Sequence, residues 1–174
     1  MTATYRLKQG IRALFAFAQP VDMPLAAQYL SAAQLALFQK MTRSEQLHSL
    51  NVLRTVLEQA ADTPHDLAVV ALLHDCGKSR YALNVAQRTL SVLTEKLLPA
   101  LFQRLTRDDT LARWRAAFVV RRHHPAWSAR LLAEAGSSEN VVWLAAHHAD
   151  SLNVHVHHPL YTLLARLKAA DDAN

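Results

Sequence analysis

At the end of an apolar run, His74 and Asp75 are where this sequence first offers chemistry. Leu67, Val70, Ala71 and His74 follow the i, i+3, i+4, i+7 rule, so an imidazole shares a helical face with three apolar side chains, and a carboxylate follows it directly. The pattern returns twice. Val141, Leu144, Ala145 and His148 repeat it with His147 alongside, and four residues beyond the stripe Leu160, Leu163, Leu164, Leu167 stands Asp171, a carboxylate where a leucine is expected. An isolated buried carboxylate costs several kcal/mol unless it is paired, hydrogen-bonded or bound to a metal. Ionisable groups pointing inward from several helices therefore call for one shared partner. Neutral imidazole and carboxylate are the usual ligands of Mn, Fe, Co, Ni and Zn, and a helical bundle collects them one or two per helix. Any one of them alone would be an ordinary core histidine or a solvated carboxylate near a chain end; their co-occurrence carries the case.

The elements that must position these groups are helices. Glycine is scarce, Ala, Leu, Gln and Arg are abundant, and alternating β-branched stretches are nearly absent, which predicts an all-α domain. The pattern predicts a first, amphipathic helix over 3–18, preferred to a leader peptide because Arg12 interrupts a short apolar run. A helical region follows from about Pro24 to Lys40, split near Ser31. Thr42-Arg43-Ser44-Glu45 is a capping box opening a helix to about Ala61. Thr63-Pro64-His65-Asp66 sets a cap, a first-turn proline and an acid before a helix that Gly77 stops after His74-Asp75. Leu83 to Leu105 is expected to be helical with a break at Pro99, a further helix to run from about Asp109 to Arg122, and Pro125 to begin another that Gly136 ends. Ser138 caps a helix through His148, Asp150 to His158 is loop, and Pro159 opens the last helix.

One domain is what 174 residues with 51% hydrophobic content support. The three glycines, Gly10, Gly77 and Gly136, fit no glycine-rich phosphate loop, which excludes dinucleotide-binding and P-loop folds. Cys76, the single cysteine, excludes an internal disulfide and a multi-cysteine zinc module and suits a reducing, cytoplasmic setting. The longest apolar run, Leu67 to Leu73, is far shorter than the roughly 20 residues of a membrane span, so no membrane partner is expected. A net charge of +5 favours anionic partners without choosing among them.

Together these residues resemble the HD superfamily of metal-dependent phosphohydrolases, whose pattern is a histidine, an adjacent His-Asp, and an aspartate near the end of the domain. The matching segments are Gln46-Leu47-His48-Ser49-Leu50, Leu72-Leu73-His74-Asp75-Cys76-Gly77-Lys78 and Leu167-Lys168-Ala169-Ala170-Asp171, and the resemblance covers residues about 42 to 171. It implies a single-domain, all-α HD-type bundle of about seven to nine helices, with 42–174 as the HD domain and 1–41 as a helical extension packed on it. Members of the HDIG-like subset with a two-metal site carry further histidines, which Arg121-Arg122-His123-His124-Pro125-Ala126-Trp127-Ser128-Ala129 and His147-His148 supply here. His124-x-x-x-Ser128-Ala129 matches the family's His-x-x-x-Gly-Ala with serine for glycine, which favours His124 over His123. The resemblance then implies one metal held by His48, His74, Asp75 and Asp171, with Asp75 bridging to a second held by His124, His147 and His148. Divalent transition metals are expected, Fe or Mn first, with Co, Ni, Zn or Mg also accommodated. Members with three metals place a glutamate four residues before the first histidine; that position is Ser44, with Glu45 one residue too late, so two ions are expected. The Gly-Tyr-Pro segment of the cyclic-di-GMP branch is absent after His147-His148, which argues against that substrate.

The implied reaction is hydrolysis of a phosphoester or phosphoanhydride in a nucleotide-like substrate by metal-activated water, with Asp75 as the central catalytic carboxylate. Lys78 stands as a phosphate contact or leaving-group donor, or else as a lysine favoured by the helix dipole. Arg80, Arg121 and Arg122 could make forked contacts to further phosphates, and Arg43 could reach the same pocket mouth, the alternative being solvated surface charge. Trp127 could stack on a base or fill core, Cys76 reads as a small buried hydrophobe, and His65, His155, His157 and His158 are expected to be exposed. The partner so implied is a phosphorylated small molecule. Nucleic acid ranks last, because the arginines are spread along the chain and no stacking motif accompanies them. A homodimer is compatible with the pattern. The competing reading is an HD-type signalling or interaction module that binds a nucleotide without turnover; retention of every expected ligand position argues against it.

Overall fold

The computed structural model describes residues 19–108 and 112–174, so the helix expected over 3–18 and the first residues of the one expected from Asp109 lie outside it. The described residues form nine α-helices and no strand: α1 (Met23–Tyr29), α2 (Ala32–Lys40), α3 (Arg43–Gln59), α4 (His65–Leu73), α5 (Val85–Leu97), α6 (Pro99–Leu105), α7 (Ala116–Glu134), α8 (Glu139–His147) and α9 (Tyr161–Ala173), with 3-10 turns at Cys76–Arg80 and Leu152–Val154. None of these helices is long and apolar enough to cross a membrane.

Short polar side chains start several of the helices. Ser31 with Gln34, Thr42 with Glu45 and Asn84 with Gln87 each form a reciprocal capping box, and Ser138 accepts from the Val141 amide. The split at Ser31 and the box at Thr42 are as the sequence predicts. Thr63 does not cap α4 as expected. Its hydroxyl turns back to the carbonyls of Ala60 and Val56, which the end of α3 leaves without helical partners.

Helix α4 is apolar all round, and every side chain from Leu67 to Leu73 is buried. A helix without a polar face must sit inside, and α1, α2, α3, α8 and α9 pack around it. Ala26, Leu30, Phe38 and Met41 share the main core, so α1 and α2 are part of the same packing unit. The consequence for chemistry is direct. The last turn of a central helix delivers His74 and Asp75 to the interior, where they are only 1% and 4% exposed.

The far side of the site is built by α7, where the sequence reading needs correction: a break was expected at Pro125, but Ala116–Glu134 is one continuous helix with Pro125 inside it. Proline removes one amide donor and leaves the carbonyl four residues earlier, on Arg121, without its helical partner. His124 supplies the missing donor, its Nδ1 lying 3.0 Å from the Arg121 oxygen and 3.1 Å from that of Val120. Gly136 ends α7 at φ 74°, with the Ser137 amide reaching Leu132 and the Gly136 amide reaching Ala133.

The 3-10 turn after α4 lies directly on α7. The Gly77 amide donates to Ser128 Oγ at 2.8 Å, and a Cβ on Gly77 would fall 2.4 Å from the His124 carbonyl oxygen and 2.7 Å from the Ser128 amide. Both obstacles are backbone. Gly136 differs, having nothing within 4 Å of an added Cβ but a positive φ. Gly136→Ala should therefore cost about 1 kcal/mol of left-handed strain, whereas Gly77→Ala should cost about 2–3 kcal/mol or more by forcing the turn off α7. Urea unfolding of the two variants checks the difference, and equal losses would contradict it.

Candidate metal centre

Six of the seven residues expected to hold metal are brought together. From α3 comes His48, from the end of α4 His74 and Asp75, from α7 His124, from the end of α8 His148, and from α9 Asp171. Lys168 of α9 donates to the His148 carbonyl at 2.9 Å, tying the end of α8 to the helix that carries Asp171.

Three imidazoles in this group are oriented alike. His74 Nδ1 bonds the Ala71 carbonyl at 3.1 Å, His148 Nδ1 that of Ala145 at 2.8 Å, and His124 Nδ1 those of Val120 and Arg121. A carbonyl only accepts, so each Nδ1 carries the proton and each Nε2 faces inward. His124 Nε2 lies 3.2 Å and His148 Nε2 3.5 Å from Asp75 Oδ1, while His74 Nε2 lies 3.6 Å from Asp75 Oδ2 and 3.6 Å from Asp171 Oδ1. The two carboxylate oxygens of Asp75 thus address two different groups. On one side are His74, Asp171 and, 2.8 Å from Asp171, the Nε2 of His48; on the other are His124 and His148.

Two of these buried atoms, His74 Nε2 and Asp75 Oδ1, have no hydrogen-bond partner. His124 Nε2 and His148 Nε2 stand 3.3 Å apart with both Nδ1 protons already committed to carbonyls. The Nε2 lone pairs of His124 and His148, crowded against each other and a buried carboxylate, need a cation between them. This donor set of imidazole and carboxylate fits divalent transition metals.

Ionisation follows from the same crowding. Burial alone would lower the His74 pKa, but Asp75 and Asp171 outweigh it and push the imidazole up to about 9. Burial would raise Asp75, yet Lys78 and His74 hold it well below the usual carboxylate range, and His48 and His74 do the same for Asp171. His124, desolvated and near Lys78, falls to about 4 and is neutral at pH 7, as a metal ligand must be. Lys78, carried back by the 3-10 turn, sits 2.5 Å from Asp75 Oδ2 as a local counter-charge.

Other expected residues are placed elsewhere. His147 stands outside both groups, its Nδ1 bonded to Asp150 at 2.7 Å. His123 is turned away to the Thr106 carbonyl, so the structure brings His124 rather than its neighbour to Asp75. Arg121 is paired with Glu95 at the edge of the site, Arg122 is exposed, Arg80 lies over the Trp127 ring, and Arg43 bonds the Gln19 carbonyl. Trp127 is buried among Val119 and Val120, which leaves it no face for a base. Cys76 is fully buried and its thiol is pushed up to about 12 by burial, the behaviour of a packing residue. Glu45 is occupied by the α3 cap and by Arg88 at 2.8 Å. His65 and His157 are exposed as expected; His155 and His158 are not, because both pack on Trp143.

A cavity of about 120 Å³ borders His124 and Lys78, lined also by Tyr81, Arg88, Val120 and Arg121. Sequence reasoning missed Arg88 and Tyr81, which no motif marks.

A family model for the HD domain matches residues 47–172. The chain belongs to the HD domain family. No curated protein and no solved structure matches it in the corresponding comparisons. HD domains are generally metal-dependent hydrolases of the phosphohydrolase type, and in this HD domain the histidine and aspartate groups around Asp75 could hold metal.

The raised His74 pKa makes a prediction for the metal-stripped protein. Between pH 6.5 and 9 the paired aspartates are ionised in both folded and unfolded states, so His74 makes the largest change, with the depressed His124 contributing only near 6.5 and the raised Cys76 thiol only near 9. The His74 contribution is fully present below its ordinary pKa of 6.5 and is lost as pH rises through about 9. Chelator-treated protein should lose on the order of 1–3 kcal/mol over this window in urea unfolding, and His74→Gln should remove most of the dependence.

Proposed function

We propose that this HD domain is a metal-dependent phosphohydrolase that cleaves a phosphoester or phosphoanhydride of a nucleotide-like substrate. The observation that carries the reading is the convergence of inward-facing Nε2 atoms on a buried Asp75 whose Oδ1 has no partner. His48, His74, Asp75 and Asp171 would hold one ion, and Asp75, His124 and His148 a second. When bound, such ions activate water and neutralise charge on the phosphoryl oxygens.

The chain's own residues supply the rest. The carbonyl-bound Nδ1 protons keep three imidazoles in the tautomer that leaves Nε2 available. Lys78, no longer needed as the counter-charge of Asp75 once a cation is there, is free to turn its ammonium toward a phosphoryl oxygen or the leaving oxygen. Arg88 and Arg121 line the adjoining cavity, each braced by a carboxylate, Glu45 and Glu95. With Tyr81, Leu83 and Val92 they form a wall that is both cationic and apolar. Such a wall suits a phosphate attached to an organic group and offers a lone inorganic phosphate little.

Protein purified without chelator should contain metal and release phosphate from one or more of a panel of nucleotides. Asp75→Asn and His74→Ala should each lower both metal content and turnover, the latter by more than about 100-fold. Unchanged phosphate release in both variants would remove the reading. Arg121→Ala tests the cavity: loss of a charge-assisted contact predicts a KM raised about 10-fold with kcat little altered.

A further inference from the structure

His147 has the sequence position of a ligand in the Asp75 centre, yet the fold gives it other company. Its Nδ1 lies 2.7 Å from Asp150 Oδ2, and His155 Nε2 approaches the same oxygen at 3.0 Å. The three donor atoms lie within 4.8 Å of one another. They come from separate places: His147 from the last turn of α8, Asp150 from the bend after it, and His155 from the end of the Leu152–Val154 turn.

An ordinary ion pair needs one imidazole, but here two are directed at a single carboxylate oxygen. They are also held there. Trp143, one turn earlier on α8, packs against His147 at 4.6 Å and His155 at 5.1 Å between ring centroids. Its indole is stacked flat on His158 at 3.7 Å and 2°, and His158 is fixed in turn by accepting the Leu160 amide. Two imidazoles and one carboxylate, preorganised by an aromatic brace and open to solvent on the Asp150 side, form a partial coordination shell that water can complete.

We propose that His147, Asp150 and His155 form a second, peripheral site for a divalent transition-metal ion such as Zn²⁺, separate from the centre around Asp75. These nitrogen-to-oxygen separations need widen only by a few tenths of an ångström to reach the roughly 3.3 Å ligand-to-ligand edge of a tetrahedral site, a small rotation of side chains already in place. Because His147 and His148 are consecutive, an ion here braces the helix end that presents His148 to Asp75. The proposal shares with the functional reading only the exclusion of His147 from the Asp75 centre.

The test uses the full-length chain, stripped with chelator and titrated with Zn²⁺ by calorimetry and with Co²⁺ by visible absorption. Asp75→Asn/His124→Ala protein should keep one equivalent of either ion, and adding His155→Gln should abolish it. In the otherwise unaltered chain, His155→Gln and Asp150→Asn should each reduce the stoichiometry by one. If both of these keep full stoichiometry and an unchanged Co²⁺ spectrum, the peripheral site is overturned. Full stoichiometry in Asp75→Asn/His124→Ala would instead overturn the metal centre around Asp75 and leave this site standing. Full-length protein that binds no ion at all overturns both.

Discussion

The rest of the structure depends on one buried carboxylate. Asp75 is almost completely removed from water; Lys78 and His74 hold its charge, while the Nε2 atoms of His124 and His148 close on its other oxygen. Lys78 and His74 come with Asp75 from the end of α4 and the turn after it, whereas His124 and His148 reach it only when α7 and α8 are docked. Asp171, set against His48 and His74, adds α3 and α9 to the same requirement. Electrostatic need and tertiary packing are here a single constraint.

Close packing makes that arrangement possible. A central helix with no polar face carries Asp75 inward, and the turn that follows must then pass against α7 with no room for a side chain at Gly77. The Ser128 hydroxyl accepts the Gly77 amide at this contact, so the serine that stands where relatives of this pattern have glycine contributes a hydrogen bond of its own. One turn earlier on α7, the proline that might have broken the helix instead leaves a carbonyl for His124. Backbone carbonyls orient three of the four inward imidazoles, a local device that needs no side chain from elsewhere.

Much of the fold was legible because the signals are local. The capping box at Thr42, the split at Ser31, the glycine after α7 and the uniformly apolar Leu67–Leu73 are short-range features whose consequences are settled within a turn or two. The misreadings have equally local causes. Pro125 is tolerated inside a helix because a neighbouring histidine replaces the lost donor, and Thr63 serves the end of one helix rather than the start of the next. Residue types at the site were legible too, since His74, Asp75 and Asp171 interrupt apolar stripes. Arg88 and Tyr81 were not, because they reach the cavity from separate segments and break no pattern.

By itself the sequence determined an all-α fold and which stretches carry ionisable groups on apolar faces, because periodicity and capping act over a few residues. Only the tertiary structure decided how those groups are shared. His147 and His148 are neighbours in sequence with the same chemistry, but a helix turns by about 100° per residue. One imidazole therefore points to Asp75 in the core and the other to Asp150 and His155 at the surface. The same rotation separates His123 from His124. Which member of each pair joins the buried carboxylate depends on where the helices dock, and docking is set by the packing of residues far apart in the chain.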